Sequence, residues 1–469
     1  MYMKFTLEHF GTIRYAELEM GDFTIICGEN NSGKTYVTYA VYGFMYFWDN
    51  VYQIDIDKSI IDKIKDAGFY NLPLSQIVEG APRIIEKACR EYTSQLASVF
   101  SAHDSKFERS VFKIDFSLDE LIIDEREHTG GMHSTSTKTG LRCVKDAGGS
   151  DLTITLFSED GEARDVPDFI VIQAINNALK SIVFSSILPN TFIASAERTG
   201  AAIFRRELNF ARNKILDKMS KKDAEFDPFI LLSQIKSDYA WPVDHNVDFA
   251  RNLEDVFKSE SDILKNHKSI LDAFADILGG SYHVTDKDGL FFSPSNKNSG
   301  RKMQLTMDES SSSVRALLNI GFYLKHIAQA RDMLVIDEPE LNLHPSNQRK
   351  MARLLASLIN CGIKIFITTH SDYILRELNN LLLLNGEKPH LAQIAKREGY
   401  VKTELLVSSR LRVYSAQVGP IKLPGNSKKT QHQTLVAIPI DDEIGIHSSS
   451  FDDVINDMNR ITDDITFGG

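Results

Sequence analysis

Residues 28–35 read Gly28-Glu29-Asn30-Asn31-Ser32-Gly33-Lys34-Thr35, a complete G-x-x-x-x-G-K-[ST] stretch. It lies between an apolar run, Phe23-Thr24-Ile25-Ile26-Cys27, and a segment of helical character that opens at Lys34. Strand, glycine loop and helix in this order form a phosphate-binding loop. The glycines let backbone N–H groups turn inward around a triphosphate, the lysine reaches the β- and γ-phosphates, and the hydroxyl of Thr35 can hold Mg²⁺. A chance glycine-rich turn would not be expected to carry all three signals in sequence.

Far downstream, Met333-Leu334-Val335-Ile336-Asp337-Glu338 is an apolar strand that ends in two carboxylates. Paired acids can simply terminate a strand, but the complete loop upstream gives them chemistry to do. Asp337 is expected to hold Mg²⁺, and Glu338, one residue on and facing differently, to polarise the attacking water. A further apolar strand, Lys364 to Thr369, delivers His370 to its C-terminal end, the edge where ligands bind in parallel sheets. His370 is therefore read as a γ-phosphate sensor. Ser310-Ser311-Ser312-Ser313-Val314-Arg315 opens an apolar helix just before the carboxylate strand, and hydroxyls with free N–H groups at a helix start can grip a phosphate.

With these pieces the chain resembles the ABC-type ATPases, and within them the branch of SMC and DNA-repair ATPases and the overcoming-lysogenization-defect (OLD) family. The likeness rests on the phosphate loop (Walker A) at 28–35, the signature-like 310–315, the Walker B strand 333–338 and His370. The run Asp337-Glu338-Pro339-Glu340-Leu341-Asn342-Leu343-His344-Pro345 and the opening Phe10-Gly11-Thr12-Ile13-Arg14 are closest to the OLD group. The resemblance implies a head-to-tail dimer or higher oligomer. ATP and Mg²⁺ would be held by Lys34, Thr35 and Asp337 of one subunit, with Glu338 and His370 acting beside them and Ser311, Ser312 and Ser313 acting in trans. Two positions depart from the family: Ser312 and Ser313 stand where the signature carries glycine, and His344 where transporter-type members carry aspartate.

The implied fold class is α/β, an ABC-type P-loop core with an inserted helical and antiparallel-β lobe. The core is expected from residues 1–50 and 300–390, the lobe with parts of the core sheet from 51–299, and a β/α lid or partner-docking segment from 391–469. Within the lobe, residues 60–102 read as helices broken at Pro73 and Pro82. Residues 110–157 read as strands with turns at Gly130-Gly131 and Gly148-Gly149, and 204–219 as a helix. In the tail, 404–407, 412–416 and 435–440 read as strands and 451–458 as an amphipathic helix. Ala196-Glu197-Arg198-Thr199-Gly200 resembles an OLD-like "ER" segment to which no catalytic role is given. The aromatics from Tyr36 to Trp48 occupy several faces of one helix and are read as core rather than as base-stacking groups.

Composition bounds the function. The 469 residues exceed one ordinary domain, and the net charge of −11 argues against a whole-surface nucleic-acid ligand. Lys221-Lys222 and Lys428-Lys429 are short basic pairs read as solvated surface. Cys27, Cys89, Cys143 and Cys361 lack metal spacing and read as reduced thiols, and no apolar stretch reaches membrane-span length, so a cytoplasmic protein is expected. No heptad run supports SMC-like coiled-coil arms. After His370 there is no Glu-Gly-x-x-Asp opening or D-x-D pair. Asp441-Asp442-Glu443 and Asp452-Asp453 therefore do not make a nuclease, and none is expected in this chain. The resemblance then points to stand-alone ATPase subunits of antiphage systems (the AriA and PtuA families of PARIS and Septu) that control a separate nuclease or toxin. The alternative is an SMC-like DNA-repair or DNA-maintenance ATPase. A transporter subunit is disfavoured by the absent L-S-G-G-Q.

Overall fold

A computed structural model describes residues 3–133, 139–158, 166–204, 239–285, 289–295, 303–447 and 449–467. The chain opens with an antiparallel pair, β1 (Met3–Phe10) and β2 (Ile13–Glu19), and then runs through β3 (Phe23–Cys27) into helix α1 (Lys34–Asn50). After α1 come β4 (Phe69–Pro73), a long helix Leu74–Ser94, and β5 (Val111–Phe116), which returns to pair with β1. β6 (His128–His133), β7 (Thr139–Lys145) and β8 (Asp151–Ser158) join β4 in an antiparallel sheet of order β4-β8-β7-β6. Helix Asp168–Leu179 precedes β9 (Thr191–Ala194). A small sheet of β10 (Gly280–Thr285), β11 (Gly289–Pro294) and β12 (Leu305–Thr306) leads to helix Ser312–Phe322. β13 (Met333–Asp337), helix Pro345–Asn360, β14 (Lys364–Thr369), helix Asp372–Leu383, β15 (Leu411–Ile421) and β16 (Thr430–Ile438) follow.

The central sheet has the order β16-β15-β3-β14-β13-β9. All its pairings are parallel except β15 with β16. β3 and β13 are buried at every position, as strands covered on both faces must be. Successive side chains serve opposite faces. Ile26, Val335 and Phe366 join α1 and the inserted lobe in one apolar core. Ile25, Leu334, Ile336, Ile365 and Ile367 join helices Ser312–Phe322 and Pro345–Asn360 in the other. The aromatics of α1 belong to the first core as expected, with Phe44, Phe47 and Trp48 at most 2% exposed.

Several elements differ from the sequence reading. Gly130 and Gly131 lie inside β6 rather than in a turn, because the bare α-carbon of Gly131 lets the carbonyl of Leu141 on β7 approach closely. Gly148 and Gly149 do turn, with the Gly149 N–H bonded to the Asp146 carbonyl at 2.9 Å. Helix Leu74–Ser94 passes through Pro82 without stopping. That proline faces solvent, while Ala81, Ile85, Ala88, Cys89 and Tyr92 hold the opposite stripe in the core. Residues 404–407 form no strand; Glu404 ends a short turn of helix and is tied to Arg353 at 2.8 Å. The largest difference is in the tail. β15 and β16, from the segment 391–469 read as a lid or docking piece, are strands of the central sheet, and β15 lies directly beside β3. Residues 205–219 of the expected helix 204–219, and Lys221-Lys222, fall outside the described residues. No helix among the described residues is long and apolar enough to cross a membrane.

Candidate nucleotide site

The sheet order sets β3, β14 and β13 side by side, so the residues that follow their C-terminal ends share one edge. After β3 the chain turns through Gly28 at φ 142°, Asn31 at φ 61° and Gly33 at φ 97°, the last being the residue before α1. Both glycines are required by space as well as by angle. A β-carbon on Gly28 would lie 2.7 Å from the carbonyl oxygen of Ala416, and one on Gly33 would lie 2.7 Å from Thr12 Oγ1. The loop is also held from the tail, since Gln433 Nε2 donates to the Ser32 carbonyl at 2.8 Å.

Lys34 is buried and its Nζ donates to the carbonyls of Gly28 (2.8 Å) and Glu29 (2.7 Å). Burial lowers its pKa, against the opposing pull of Glu338, Asp337 and Glu340. Thr35 is exposed in the first turn of α1. Glu29, Asn30 and Asn31 are exposed, whereas Ser32 is buried with an Oγ that has no hydrogen-bond partner among the described residues.

Across the edge, Asp337 closes β13 at 1% exposure. Its Oδ1 accepts from Thr368 Oγ1, and its Oδ2 is buried without a partner among the described residues. Burial pushes this carboxyl up to about 6. Glu338 takes a left-handed backbone angle, φ 56°, rare for a residue with a side chain. Its N–H is shared between the carbonyl and Oγ1 of Thr368, each at 3.2 Å. His370 follows β14, with Nδ1 3.4 Å from Glu338 Oε1 and 3.3 Å from Glu340 Oε1. Glu340 is buried, accepts from Thr369 Oγ1 (2.9 Å) and the His370 N–H (2.8 Å), and burial raises its pKa. The motif spacing did not single it out, although it is the residue that fixes the His370 backbone.

The strand ends therefore bring Lys34, Thr35, Asp337, Glu338 and His370 to one edge. Ser311, Ser312 and Ser313 are elsewhere. Ser311 caps helix Ser312–Phe322 through its Oγ, which accepts from the Val314 N–H, and among the described residues no hydrogen bond joins these serines to the phosphate loop. Ser311 and Ser312 are exposed. His344 caps helix Pro345–Asn360 and is likewise exposed.

Sequence reasoning names Arg198 in the "ER" segment but gives it no role. It is 1% exposed just after β9, and its guanidinium donates to the main-chain carbonyls of Ser195, Ala316, Asp337 and Glu338 at 2.6–2.8 Å. Burial pulls its pKa down to about 10, while Asp337, Glu340, Glu338 and Glu197 oppose that shift. The neighbouring Glu197 accepts from Tyr39 of α1 at 2.8 Å. The "ER" segment at a strand end was the only available signal.

The residues fit a Mg²⁺-nucleotide. Mg²⁺ bound to phosphates keeps much of its water and needs only one or two protein oxygens. The exposed Thr35 hydroxyl and the orphaned Asp337 Oδ2 supply two.

A sequence profile described as an AAA ATPase domain matches residues 153–375, a little under half of the chain. The match contains Asp337, Glu338 and His370 but begins after the phosphate loop. The core is a mixed α/β fold with a phosphate loop set between a buried parallel strand and a helix. Two solved structures are similar in outline. One is an SMC head bound to the C-terminal winged-helix domain of ScpA, 13% identical, covering 92% of this chain and 98% of the other with a TM-score of 0.35. The second is an Smc head domain with an extended coiled coil, bound to the C-terminal domain of ScpA and derived from Pyrococcus furiosus. It is 12% identical and covers 98% and 99% of the two chains with a TM-score of 0.32. No curated protein matches the sequence.

Proposed function

We propose that this chain binds and hydrolyses ATP as one subunit of a head-to-tail dimer or larger oligomer, and that the nucleotide state controls a separate effector protein, a nuclease or toxin of an antiphage complex. The observation that carries the first part is the shared edge of β3, β14 and β13, with a buried lysine on one side and a partnerless carboxylate oxygen on the other. The OLD-like run Asp337 to Pro345 supports the second part.

In this reading Lys34 leaves the carbonyls of Gly28 and Glu29 for the β- and γ-phosphate oxygens, and inward N–H groups of the loop complete the cradle. Thr35 and Asp337 would hold Mg²⁺, which when bound neutralises charge on the phosphates. Glu338 takes a proton from water as the water oxygen bonds to the γ-phosphorus and the bond to the β-phosphate oxygen breaks. His370, positioned by Glu340, donates to the γ-phosphate from the ring nitrogen that does not face the two glutamates. Ser311, Ser312 and Ser313 grip the γ-phosphate bound to a neighbouring subunit.

The test is a pair of variants. Glu338→Gln should bind ATP and accumulate an ATP-bound assembly, and Lys34→Ala should lose binding itself. Wild-type turnover by Glu338→Gln would remove Glu338 from the reaction, and unchanged nucleotide affinity in Lys34→Ala would remove the phosphate loop.

A further inference from the structure

We infer that Arg198 is a positioning residue that couples helix Ser312–Phe322 to the catalytic carboxylate, so that engagement of the signature serines by a neighbour's ATP sets the pose of Glu338 in the same chain. The inference rests on the roles of Glu338 and Ser311 proposed above.

A guanidinium buried away from water is costly unless its donors are satisfied. Among the described residues Arg198 forms no direct ion pair, and its bonds go to main-chain carbonyls. They come from three separated parts of the chain. Nη1 donates to Ser195 (2.8 Å) at the end of β9 and to Asp337 (2.6 Å) at the end of β13. Nη2 donates to Glu338 (2.7 Å), and Nε donates to Ala316 (2.8 Å) in the second turn of helix Ser312–Phe322. The group is planar and its donors point in fixed directions. The Nε and Nη2 edge therefore works as a rigid spacer between the helix and the Glu338 peptide.

The Glu338 peptide is where such a spacer would matter. Its φ of 56° is strained for a glutamate, and it persists because the surroundings hold it. The Glu338 N–H is held by Thr368 on one side, and the Glu338 carbonyl is held by Arg198 on the other. A shift of the helix at Ala316 moves the guanidinium, and the guanidinium carries the Glu338 carbonyl with it. Lysine can keep the charge but cannot span the two carbonyls with one flat edge. Among the described residues Arg198 bonds no group of the phosphate loop, so the phosphate cradle should survive the change.

The test uses the full chain with Arg198→Lys and Arg198→Gln, alone and combined with Glu338→Gln. Fluorescent ATP-analogue binding, steady-state turnover and thermal unfolding are read together. Coupling predicts nucleotide affinity within about threefold of wild type, kcat lower by about tenfold or more, and no further loss when Arg198→Lys is added to Glu338→Gln, because both act through one group. Normal kcat in a folded Arg198→Lys, or an independent multiplicative loss in the double variant, would overturn it. Wild-type turnover by Glu338→Gln alone would instead sink the base assignment on which the inference rests. Should both arginine variants unfold, hydrogen exchange in Glu338→Gln decides: segments 312–322 and 337–341 should change protection together on adding MgATP, and a change in one without the other refutes the coupling.

Discussion

Deleting residues 410–469 separates a lid from a structural strand. A lid can be removed from a folded core, whereas β15 pairs with β3 from Leu411 opposite Phe23 to Ser415 opposite Cys27, and β3 is the strand that feeds the phosphate loop. The deletion strips out Leu411 (1% exposed), Val413 (2%), Tyr414 (6%) and Leu435 (7%). At about 1.5–3 kcal/mol for each buried side chain of this size, that is roughly 6–12 kcal/mol of apolar burial. Whole domains are stable by only about 5–15 kcal/mol. The loss also takes the Arg410–Asp22 ion pair (2.6 Å) and the bond from the Glu19 N–H to Tyr414 Oη (2.8 Å), and it leaves β3 as a bare sheet edge. The truncated chain should therefore be insoluble, or should lack a cooperative thermal transition by circular dichroism, and should bind no fluorescent ATP analogue. Removing only residues 457–469 is the control. Met458, Ile461 and Ile465 are exposed there, and the melting transition should stay essentially where it is. A chain ending at Ser409 that melts cooperatively and binds ATP like the full protein would refute the assignment of β15 to the core.

If Ser311 completes a neighbour's site, mixing Lys34→Ala with a Ser311→Trp variant should restore part of the ATPase activity lost by each, and no recovery at any ratio between folded, associating variants counts against shared sites. Gln433→Ala removes the one side-chain bond from β16 to the Ser32 carbonyl and should weaken ATP-analogue binding by a few-fold, consistent with a net hydrogen-bond contribution of about 1 kcal/mol; unchanged affinity would make that contact incidental. His245 has its pKa pushed down to about 4, chiefly by burial, while its ring packs on Tyr46 and its Nδ1 pairs with the Tyr42 hydroxyl. The unfolded chain then binds the proton more tightly, so stability is complete above about pH 6.5 and falls as pH drops toward 4. His245→Gln should flatten that part of the stability profile, and an unaltered slope between those limits would show that another group titrates. Purified chain incubated with plasmid DNA or RNA in Mg²⁺ or Mn²⁺ should leave both intact; metal-dependent cleavage lost on mutating Asp441, Asp442 or Glu443 would end the separate-effector reading.

The parts of the site that were legible in the sequence are those whose signal is local. Gly28 and Gly33 are spaced for a turn that only glycine can make, and the apolar runs at 23–27, 333–337 and 364–369 are unbroken because both faces of their strands are covered. Side-chain alternation carries the same information for β5, β7 and β8 in the lobe. The position of β15 was not legible, because its five registered pairs with β3 join positions 388 apart in sequence and nothing in a short apolar run names its partner. Arg198 was hidden for a related reason. Its partners are main-chain carbonyls, which have no residue type to recognise, and the Asp337 carbonyl lies 139 positions away.

These non-local contacts change how the tail and the nucleotide can communicate. The phosphate loop is braced on its open side by β15 and β16, through the Ala416 carbonyl packed against Gly28 and the Gln433 amide on Ser32. Just beyond Ala416 the same strand passes from the buried sheet into solvent, where Val418 is 63% exposed. A partner that bound the outer part of β15 or β16 would therefore pull on a strand whose inner end touches the loop. If that strand has two positions that ATP and the partner prefer to different extents, each ligand would change the other's affinity by the same factor. Under the proposed function, an effector docked on this tail could be coupled to the nucleotide without touching it, because β15 runs from the solvent-exposed Val418 to the residues beside Gly28.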